Sequence, residues 1–277
     1  MFLYLANDLN KIRFKLLIIL QLEEKMSTIL SLLKLKDYIT LIGSTLGIIS
    51  LICAGIGTRS AISLGFFLIS ISLGTDLIDG YIARKTGTVN EIGRELDSLS
   101  DSLTFGISPA ILIYQAFKTG NPYDFVLIIG CILFALGAIL RLARFNISDS
   151  LGYTGIPTPL SALLMIAYFY GNYFYAFAYG GASHYAFPEL TYYFIPLFLA
   201  LTGWFNITTH ISFGEKSRLT YTIIICVAPL CPILGIIGIL NPNFIISILV
   251  SIFFFSSFIG LFGYMILGFF LKRRYKK

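Results

Sequence analysis

Eight apolar stretches, each about 20 residues long and separated by short polar breaks, constrain this chain more than any other feature. They lie at 38–56, 61–83, 97–117, 124–144, 159–179, 191–211, 219–239 and 244–271. A helix of that length and composition is long enough to cross a bilayer. Only 12% of the 277 residues are charged, which leaves too little polar surface for a water-soluble globule. The sequence therefore predicts an all-α, polytopic integral membrane helix bundle of about eight transmembrane helices.

The basic residues predict how this bundle is oriented. If both termini are cytoplasmic, Arg59 and Lys118 are the only two of the 20 lysines and arginines that fall in outer loops. Lysine and arginine concentrate in the cytoplasmic loops of membrane proteins. We therefore expect a multi-pass protein of the cell membrane with both termini on the cytoplasmic side. Contact with anionic lipid explains the net charge of +6 without a nucleic acid partner.

Acidic residues crowd the second and third apolar stretches and the loop between them. They are Asp76, Asp79, Glu91, Glu95, Asp97 and Asp101. A carboxylate in a membrane segment is costly unless it is paired, hydrated or bound to metal. Steps of three and four place Asp76 with Asp79, and Asp97 with Asp101, on one face of each helix. Two consecutive helices are antiparallel neighbours, so these faces can meet near the cytoplasmic surface. A hard divalent cation such as Mg²⁺, Mn²⁺ or Ca²⁺ would remove their repulsion.

Small and basic residues border these carboxylates. Gly80 and Ala83 leave a shallow groove in which a flat ligand can approach the backbone. Arg84, on the same face, can hold phosphate oxygens with its fork of donors. Together these features predict a site for a nucleotide diphosphate. A structural polar network and the cation pathway of a membrane transporter are the alternatives.

The acidic pattern resembles the signature of a known enzyme family. The residues Asp76-x2-Asp79-Gly80-x2-Ala83-Arg84-x8-Gly93-x3-Asp97-x3-Asp101 are similar to the signature of the CDP-alcohol phosphotransferase family. The resemblance implies a six-helix catalytic core, a homodimer, and Mg²⁺ or Mn²⁺ as cofactor. It also implies that an alcohol attacks a CDP-activated lipid, either CDP-diacylglycerol or CDP-archaeol, and that CMP is released.

Segments outside the signature resemble the phosphatidylserine synthase branch of this family, which implies L-serine as the acceptor. These segments are 95–101, 105–110, 141–146 and 155–159. Another acceptor, glycerol phosphate or inositol phosphate, is the alternative within the same chemistry. A phosphorylated acceptor would require a more basic pocket than the two arginines of segment 141–146 provide.

The resemblance implies roles for the four aspartates. Asp76, Asp79 and Asp97 would bind the metal. Asp101 would share in a second metal site, and we expect it to act as the general base that takes the proton from the serine hydroxyl.

The resemblance also implies a set of residues that bind CDP. They are Gly80, Ala83, Arg84, Gly93 and Thr40. Arg84 would hold the diphosphate, and Thr40 lies on the first helix, which helps to hold cytidine in this family. The family commonly has Asn three residues after that threonine, whereas this chain has Gly43.

Four further residues are expected to bind the acceptor or the lipid phosphate: Arg141, Arg144, Asn146 and Thr158. They lie at the cytoplasmic end of the fourth stretch and at the start of the fifth. Two arginines three residues apart suit the serine carboxylate or a phosphate. A basic flank that only sets the topology is the other explanation.

The expected organisation has three parts. Residues 1–36 form a cytoplasmic or interfacial segment, because the apolar run Leu16–Leu22 is too short to span a membrane; alternatively, Met26 is the true start. Residues 37–215 form the catalytic core. Residues 216–277 add C-terminal transmembrane helices and a basic tail. The aromatic run Tyr168–Tyr179 is expected to lie at the membrane interface.

Overall fold

A computed structural model describes most of the chain between its ends. The described residues are 15–16, 31–87, 91–147, 155–180, 186–210, 230–234, 236, 240 and 243–270, without the side chains of residues 83, 84 and 86. The main helices are α1 (Leu35–Ile56), α2 (Arg59–Thr86), α3 (Glu91–Asp101), α4 (Ser108–Phe117), α5 (Asp124–Ile147), α6 (Thr158–Gly180), α7 (Glu189–Ile207) and α8 (Phe244–Phe270). No strand occurs in this part of the chain, which confirms the all-α prediction.

Six of these helices, all except α3 and α4, are long and apolar enough to cross a membrane. The prediction of a multi-pass membrane bundle is therefore confirmed. Most of the predicted span 219–239 and most of segment 1–36 lie outside the described residues. The total of eight spans accordingly stays a prediction.

The predicted third span, 97–117, is a helix with a widened middle. A π-helical segment, Ser102–Ile107, joins α3 to α4. At the end of this segment the Ser108 N–H donates to the Leu103 carbonyl, five residues back. The next residue, Pro109, has no N–H, and in a regular α-helix its ring would clash with the carbonyl four residues earlier. The wider turn relieves that clash, and it begins immediately after Asp101.

Helices α5 and α7 cross with their backbones in contact. A Cβ placed on Gly137 would lie 2.7 Å from the Cα of Gly203. Two helical turns earlier, a Cβ on Gly130 would lie 3.0 Å from the Cα of Pro196. Small residues allow membrane helices to approach this closely, which maximises van der Waals contact. This crossing holds α7 beside the helix that carries Arg141.

Gly137→Ala is expected to destabilise the bundle, because the added methyl group would force the two backbones apart. We expect the free energy of unfolding to fall by about 1–3 kcal/mol. Thermal unfolding of the purified protein in detergent measures the change. Gly260→Ala on α8 is the control, since nothing lies within 4 Å of a Cβ added there. An equal loss in both variants would contradict the backbone contact.

Helix α6 is the buried centre of the bundle. Tyr168 is 3% exposed and Tyr170 is 1% exposed. The Tyr170 ring stacks on Phe254 of α8, with centroids 5.2 Å apart, and its hydroxyl donates to the Ser63 carbonyl. Buried tyrosines find such acceptors because an unpaired hydroxyl is costly inside a protein. The prediction of an interfacial aromatic belt over Tyr168–Tyr179 is therefore wrong for the inner part of that run.

The predicted site residues lie at one end of the bundle, and a cluster of Arg59 with aromatic rings lies at the other. At one end the Arg59 guanidinium lies 4.5 Å from the ring centroid of Phe187, and Phe117 packs on the same ring. This places the starts of α2 and α7 and the end of α4 together. The predicted site residues lie toward the opposite end, where α2 finishes and α3 begins. The fold therefore gathers them near one surface of the bundle rather than at its middle.

Candidate active site

Three carboxylates form the centre of the candidate site. One carboxylate oxygen from each of Asp76, Asp97 and Asp101 lies within 4.8 Å of the other two. All three residues are half-buried. Like charges this close repel one another strongly unless a cation or a proton offsets them. A donor set made only of carboxylate oxygens fits a hard divalent cation, so these residues could hold one.

Asp79 lies beside this group and forms a hydrogen bond to α1. It is 7% exposed, and its Oδ2 accepts a hydrogen bond from Thr40 Oγ1 at 2.8 Å. The sequence predicted Asp76, Asp79 and Asp97 as the main metal ligands. Among the described residues, the third member of the close group is instead Asp101. The role of Asp79 as a metal ligand stays a prediction. Its observed contact fastens α2 to α1.

The four aspartates face a small, partly open pocket between α1, α2 and α3. The pocket is lined by Thr40, Gly43, Ser72, Thr75, Asp76, Asp79, Asp97, Ser100, Asp101 and Phe105. Sequence reasoning missed the hydroxyl residues Ser72, Thr75 and Ser100. Their spacing could have revealed them, because each lies three or four residues from a pocket aspartate and thus on the same helix face.

Hydroxyl groups tie the first helix to both acidic helices. Ser44 Oγ donates to Ser100 Oγ on α3 at 2.8 Å. Ser72 Oγ on α2 donates to the Gly43 carbonyl at 3.3 Å. With the bond from Thr40 to Asp79, these contacts hold α2 and α3 against the same face of α1. The sequence did not indicate that α1 aligns the two acidic faces.

Gly43 occupies a crowded position in this pocket. A Cβ added there would lie 2.9 Å from Thr75 Oγ1 and 3.0 Å from Ser72 Oγ. The asparagine that the family commonly has at this position would therefore displace both hydroxyl groups. The hydroxyls of α2 fill the space that an α1 side chain would otherwise take.

A buried ion pair lies one turn before Thr40. Lys36 Nζ is 2.7 Å from Asp37 Oδ1, and the two residues are 7% and 0% exposed. The other oxygen of Asp37 accepts from the Lys34 backbone N–H at 2.7 Å. The Lys36 charge is close enough to act electrostatically on Asp79 and Asp97. Sequence reasoning missed this pair; its only signal is the step of four from Lys36 to Thr40.

Arg141 and Thr158 come together beside the carboxylates, as the sequence analysis expected of one pocket. Arg141 is 8% exposed, and its Nη1 donates to Thr158 Oγ1 at 3.4 Å. The guanidinium is close enough to Asp101 for the two charges to interact. A buried positive charge next to a carboxylate group is well placed to attract an anion.

Arg144 and Asn146 bind neighbouring helices. Arg144 Nη1 donates to the Ile207 carbonyl at the end of α7, at 2.7 Å. Asn146 Nδ2 donates to Glu95 Oε2 at 3.0 Å, and its Oδ1 accepts from Ser98 Oγ at 2.9 Å. These contacts join the end of α5 to α7 and to α3. A role for these two residues in acceptor binding stays a prediction.

The remaining predicted site residues lie on the same two acidic helices. Gly80 on α2 is half-buried, and Gly93 on α3 is buried. Ala83 and Arg84 belong to the last turn of α2, but their side chains lie outside the described part of the structure. Their predicted roles therefore stay predictions.

Comparison with known proteins identifies relatives of this chain. A family model described as CDP-alcohol phosphatidyltransferase matches residues 33–211. A CDP-diacylglycerol–serine O-phosphatidyltransferase of Methanocaldococcus jannaschii is 37% identical over 143 residues, which cover 52% of this chain and 64% of that protein. An archaetidylserine synthase of Methanothermobacter thermautotrophicus is 35% identical over 145 residues, covering 51% of this chain and 60% of the relative.

A bacterial relative is also similar. The CDP-diacylglycerol–serine O-phosphatidyltransferase of Bacillus subtilis is 36% identical over 93 residues, covering 33% of this chain and 51% of that protein. In all three comparisons the match spans less than two thirds of the relative.

Proposed function

Because the chain belongs to the CDP-alcohol phosphatidyltransferase family, we propose that it transfers a phosphatidyl-type group from a CDP-activated lipid to the hydroxyl of L-serine and releases CMP. The lipid is CDP-diacylglycerol or CDP-archaeol. The observation that carries the proposal is the group formed by Asp76, Asp97 and Asp101, with the buried Arg141 acting on it. The names of the three relatives support serine as the acceptor.

The proposed reaction is a substitution at the phosphorus that carries the lipid. The serine hydroxyl oxygen forms a bond to that phosphorus, and the bond from phosphorus to the bridging oxygen of the diphosphate breaks, so that CMP leaves. A serine hydroxyl is a weak nucleophile, and Asp101 takes its proton. Arg141, held by Thr158, binds the serine carboxylate beside Asp101. Arg84 binds the diphosphate, and Gly80, Ala83, Gly93 and Thr40 form the cytidine side of the site.

We assign the divalent cation, Mg²⁺ or Mn²⁺, to Asp76 and Asp97 together with Asp79 or Asp101. When bound, such a cation offsets the negative charge of the diphosphate and of the departing CMP. The protein itself holds the carboxylates close to one another. Thr40 does so for Asp79 through a hydrogen bond across two helices.

Our proposal for the cellular setting follows from the basic residues and the family. The protein would lie in the cell membrane as a homodimer, with the site and both termini on the cytoplasmic side. The site lies at the opposite end of the bundle from Arg59, one of the two basic residues expected in outer loops. This agrees with a cytoplasmic supply of serine.

The test of the proposed function measures CMP release by the purified protein in detergent. The assay supplies Mg²⁺ or Mn²⁺, CDP-diacylglycerol or CDP-archaeol, and one acceptor at a time from L-serine, glycerol phosphate and inositol phosphate. We expect release with L-serine only. Release with a different acceptor would keep the chemistry and overturn serine. A folded sample that releases no CMP under any of these conditions would overturn the function and favour the cation transporter.

Thr40→Val is expected to reduce activity while leaving the fold intact. The substitution keeps the shape of the side chain but removes the donor to Asp79, a bond to a charged group worth roughly tenfold in an equilibrium constant. We expect kcat/KM for the CDP-lipid to fall by about that factor. Thr45→Val on the same helix is the control, because the Thr45 hydroxyl bonds only locally, to the Leu41 carbonyl. Equal activity of the two variants would contradict the role of Thr40.

A further inference from the structure

Lys36 is an unusual residue for the place it occupies. It lies in the first turn of α1 and is 7% exposed, although lysine is almost never buried without a partner. Its partner is Asp37, at 2.7 Å. An ammonium group carries three N–H donors, and Asp37 takes one of them. The side chain is therefore held in place, buried and charged, with capacity for further acceptors.

Lys36 lies one helical turn before Thr40, which lines the acidic pocket. The Thr40 hydroxyl is 3.2 Å from the backbone carbonyl of Lys36 and 2.8 Å from Asp79 Oδ2. The Lys36 charge acts on Asp79 and on Asp97, which belong to two different helices. The ammonium is therefore shielded from solvent and lies within electrostatic range of both acidic helices.

Helix capping explains the presence of Asp37 but not that of Lys36. Asp37 accepts the Lys34 backbone N–H at the start of α1, which caps the helix, and it would do so without a neighbouring ammonium. Helix capping therefore requires only the carboxylate. The remaining structural explanation is that Lys36 neutralises Asp37, and this explanation can be tested separately.

We propose that Lys36 is an additional binding residue for the diphosphate of the CDP-activated lipid, and that Asp37 holds it in place in the free protein. The inference rests on the proposed function, because it assigns Lys36 to the same substrate. A cation site built from carboxylates repels a diphosphate until positive charge offsets it. Lys36 supplies such a charge from α1, where it acts on Asp79 and Asp97, whereas Arg141 on α5 acts on Asp101.

This role makes Lys36→Met act in opposite directions on the two ligands of the site. Loss of the ammonium leaves the pocket more negative, so Mn²⁺ should bind roughly twofold to fivefold more tightly. CDP should bind about tenfold or more weakly at saturating Mn²⁺, because a charge-assisted contact to phosphate is lost. A residue that merely stabilises the fold would weaken both.

The experiment measures the binding of Mn²⁺ alone, and then of CDP at saturating Mn²⁺, to the full-length chain in detergent by calorimetry. Lys34→Met is the matched control, since Lys34 is exposed and carries the same charge two residues away; we expect both affinities to stay unchanged. In the double variant Lys36→Met with Asp37→Asn, CDP should remain weakly bound. Recovery of CDP affinity in the double variant would show that Lys36 only neutralises Asp37.

Two outcomes separate this inference from the proposed function. If the wild-type protein binds CDP and Lys36→Met binds CDP equally well, or if that variant binds both ligands more weakly, the role of Lys36 is overturned and the proposed function stands. If the wild-type protein binds Mn²⁺ but no CDP, both are overturned. CMP release by the wild-type protein remains the independent check of the reaction.

Discussion

Asp101→Asn is expected to lower kcat for CMP release by roughly 10²–10⁴-fold, the usual contribution of a positioned general base. Asparagine has nearly the same shape as aspartate, but it cannot take the proton of the serine hydroxyl. Asp101 is also close enough to Arg141 for their charges to interact, so the proton would be taken up next to the group that we expect to bind the serine carboxylate. The measurement is CMP release with L-serine at saturating concentrations of both substrates.

Binding measurements decide which of two roles Asp101 has. If it acts as the base, CDP at saturating Mn²⁺ should bind to Asp101→Asn nearly as it does to the wild-type protein, because Asp76, Asp79 and Asp97 are unchanged. If Mn²⁺ affinity falls as steeply as turnover, Asp101 is a metal ligand first, as its place in the group of three carboxylates allows. Normal turnover would refute both roles.

Asp76→Asn is expected to weaken cation binding strongly and to lower turnover with it. The carboxylate lies within 4.8 Å of two others, and a ligand amide in its place removes one negative charge from the donor set. We expect the affinity for Mn²⁺ to fall by at least about 100-fold, since even partners outside the ligand set change metal affinity by 10–100-fold. Titration of the purified protein with Mn²⁺ measures this loss, and CMP release should fall in parallel.

Glu189→Gln is the matched control for this prediction. It removes one carboxylate from an exposed position at the start of α7, at the end of the bundle away from the pocket. Its Mn²⁺ affinity and turnover should equal those of the wild-type protein. Treatment with EDTA should abolish wild-type turnover, and added Mg²⁺ or Mn²⁺ should restore it. An Asp76→Asn protein that binds Mn²⁺ normally would exclude these carboxylates as the metal site.

The acidic site was largely predictable because it depends on local periodicity. The steps from Asp76 to Asp79 and from Asp97 to Asp101 fix which face of each helix is acidic, whatever the helices pack against. The short connection between α2 and α3 then makes them neighbours. The structure confirms that residues from both helices meet, and the group of three close carboxylates joins Asp76 on α2 to Asp97 and Asp101 on α3.

The contribution of α1 to the site was not predictable in the same way. Ser44, Lys36 and Thr40 bond to groups on other helices or act on them, and such contacts depend on how α1 is rotated about its axis. The step of four from Lys36 to Thr40 places both residues on one face of α1, but it does not say which neighbour that face meets. The crowding of Gly43 by Ser72 and Thr75 is likewise a property of two packed helices.

Composition alone does not show whether the aromatic run on α6 lies at the membrane interface or in the protein core. Tyrosine and phenylalanine are equally suited to a membrane interface and to a protein core, since each presents a large apolar ring. Only the position of α6 at the centre of the bundle decides between them, and there the hydroxyl of Tyr170 donates to the Ser63 carbonyl. Whether these rings lie in the core or at the interface is therefore set by helix packing and not by residue type.

The sequence by itself determined that this chain forms apolar helices, and it determined which helix faces carry carboxylates, because both follow from residue type and spacing along one helix. Only the tertiary structure decided that Asp101 joins Asp76 and Asp97, that Asp79 accepts from Thr40, and that Lys36 is buried. Those outcomes depend on distances between atoms of different helices, which are set by close approaches such as that of Gly137 to Gly203. The residue types and spacing within a single helix do not determine these distances.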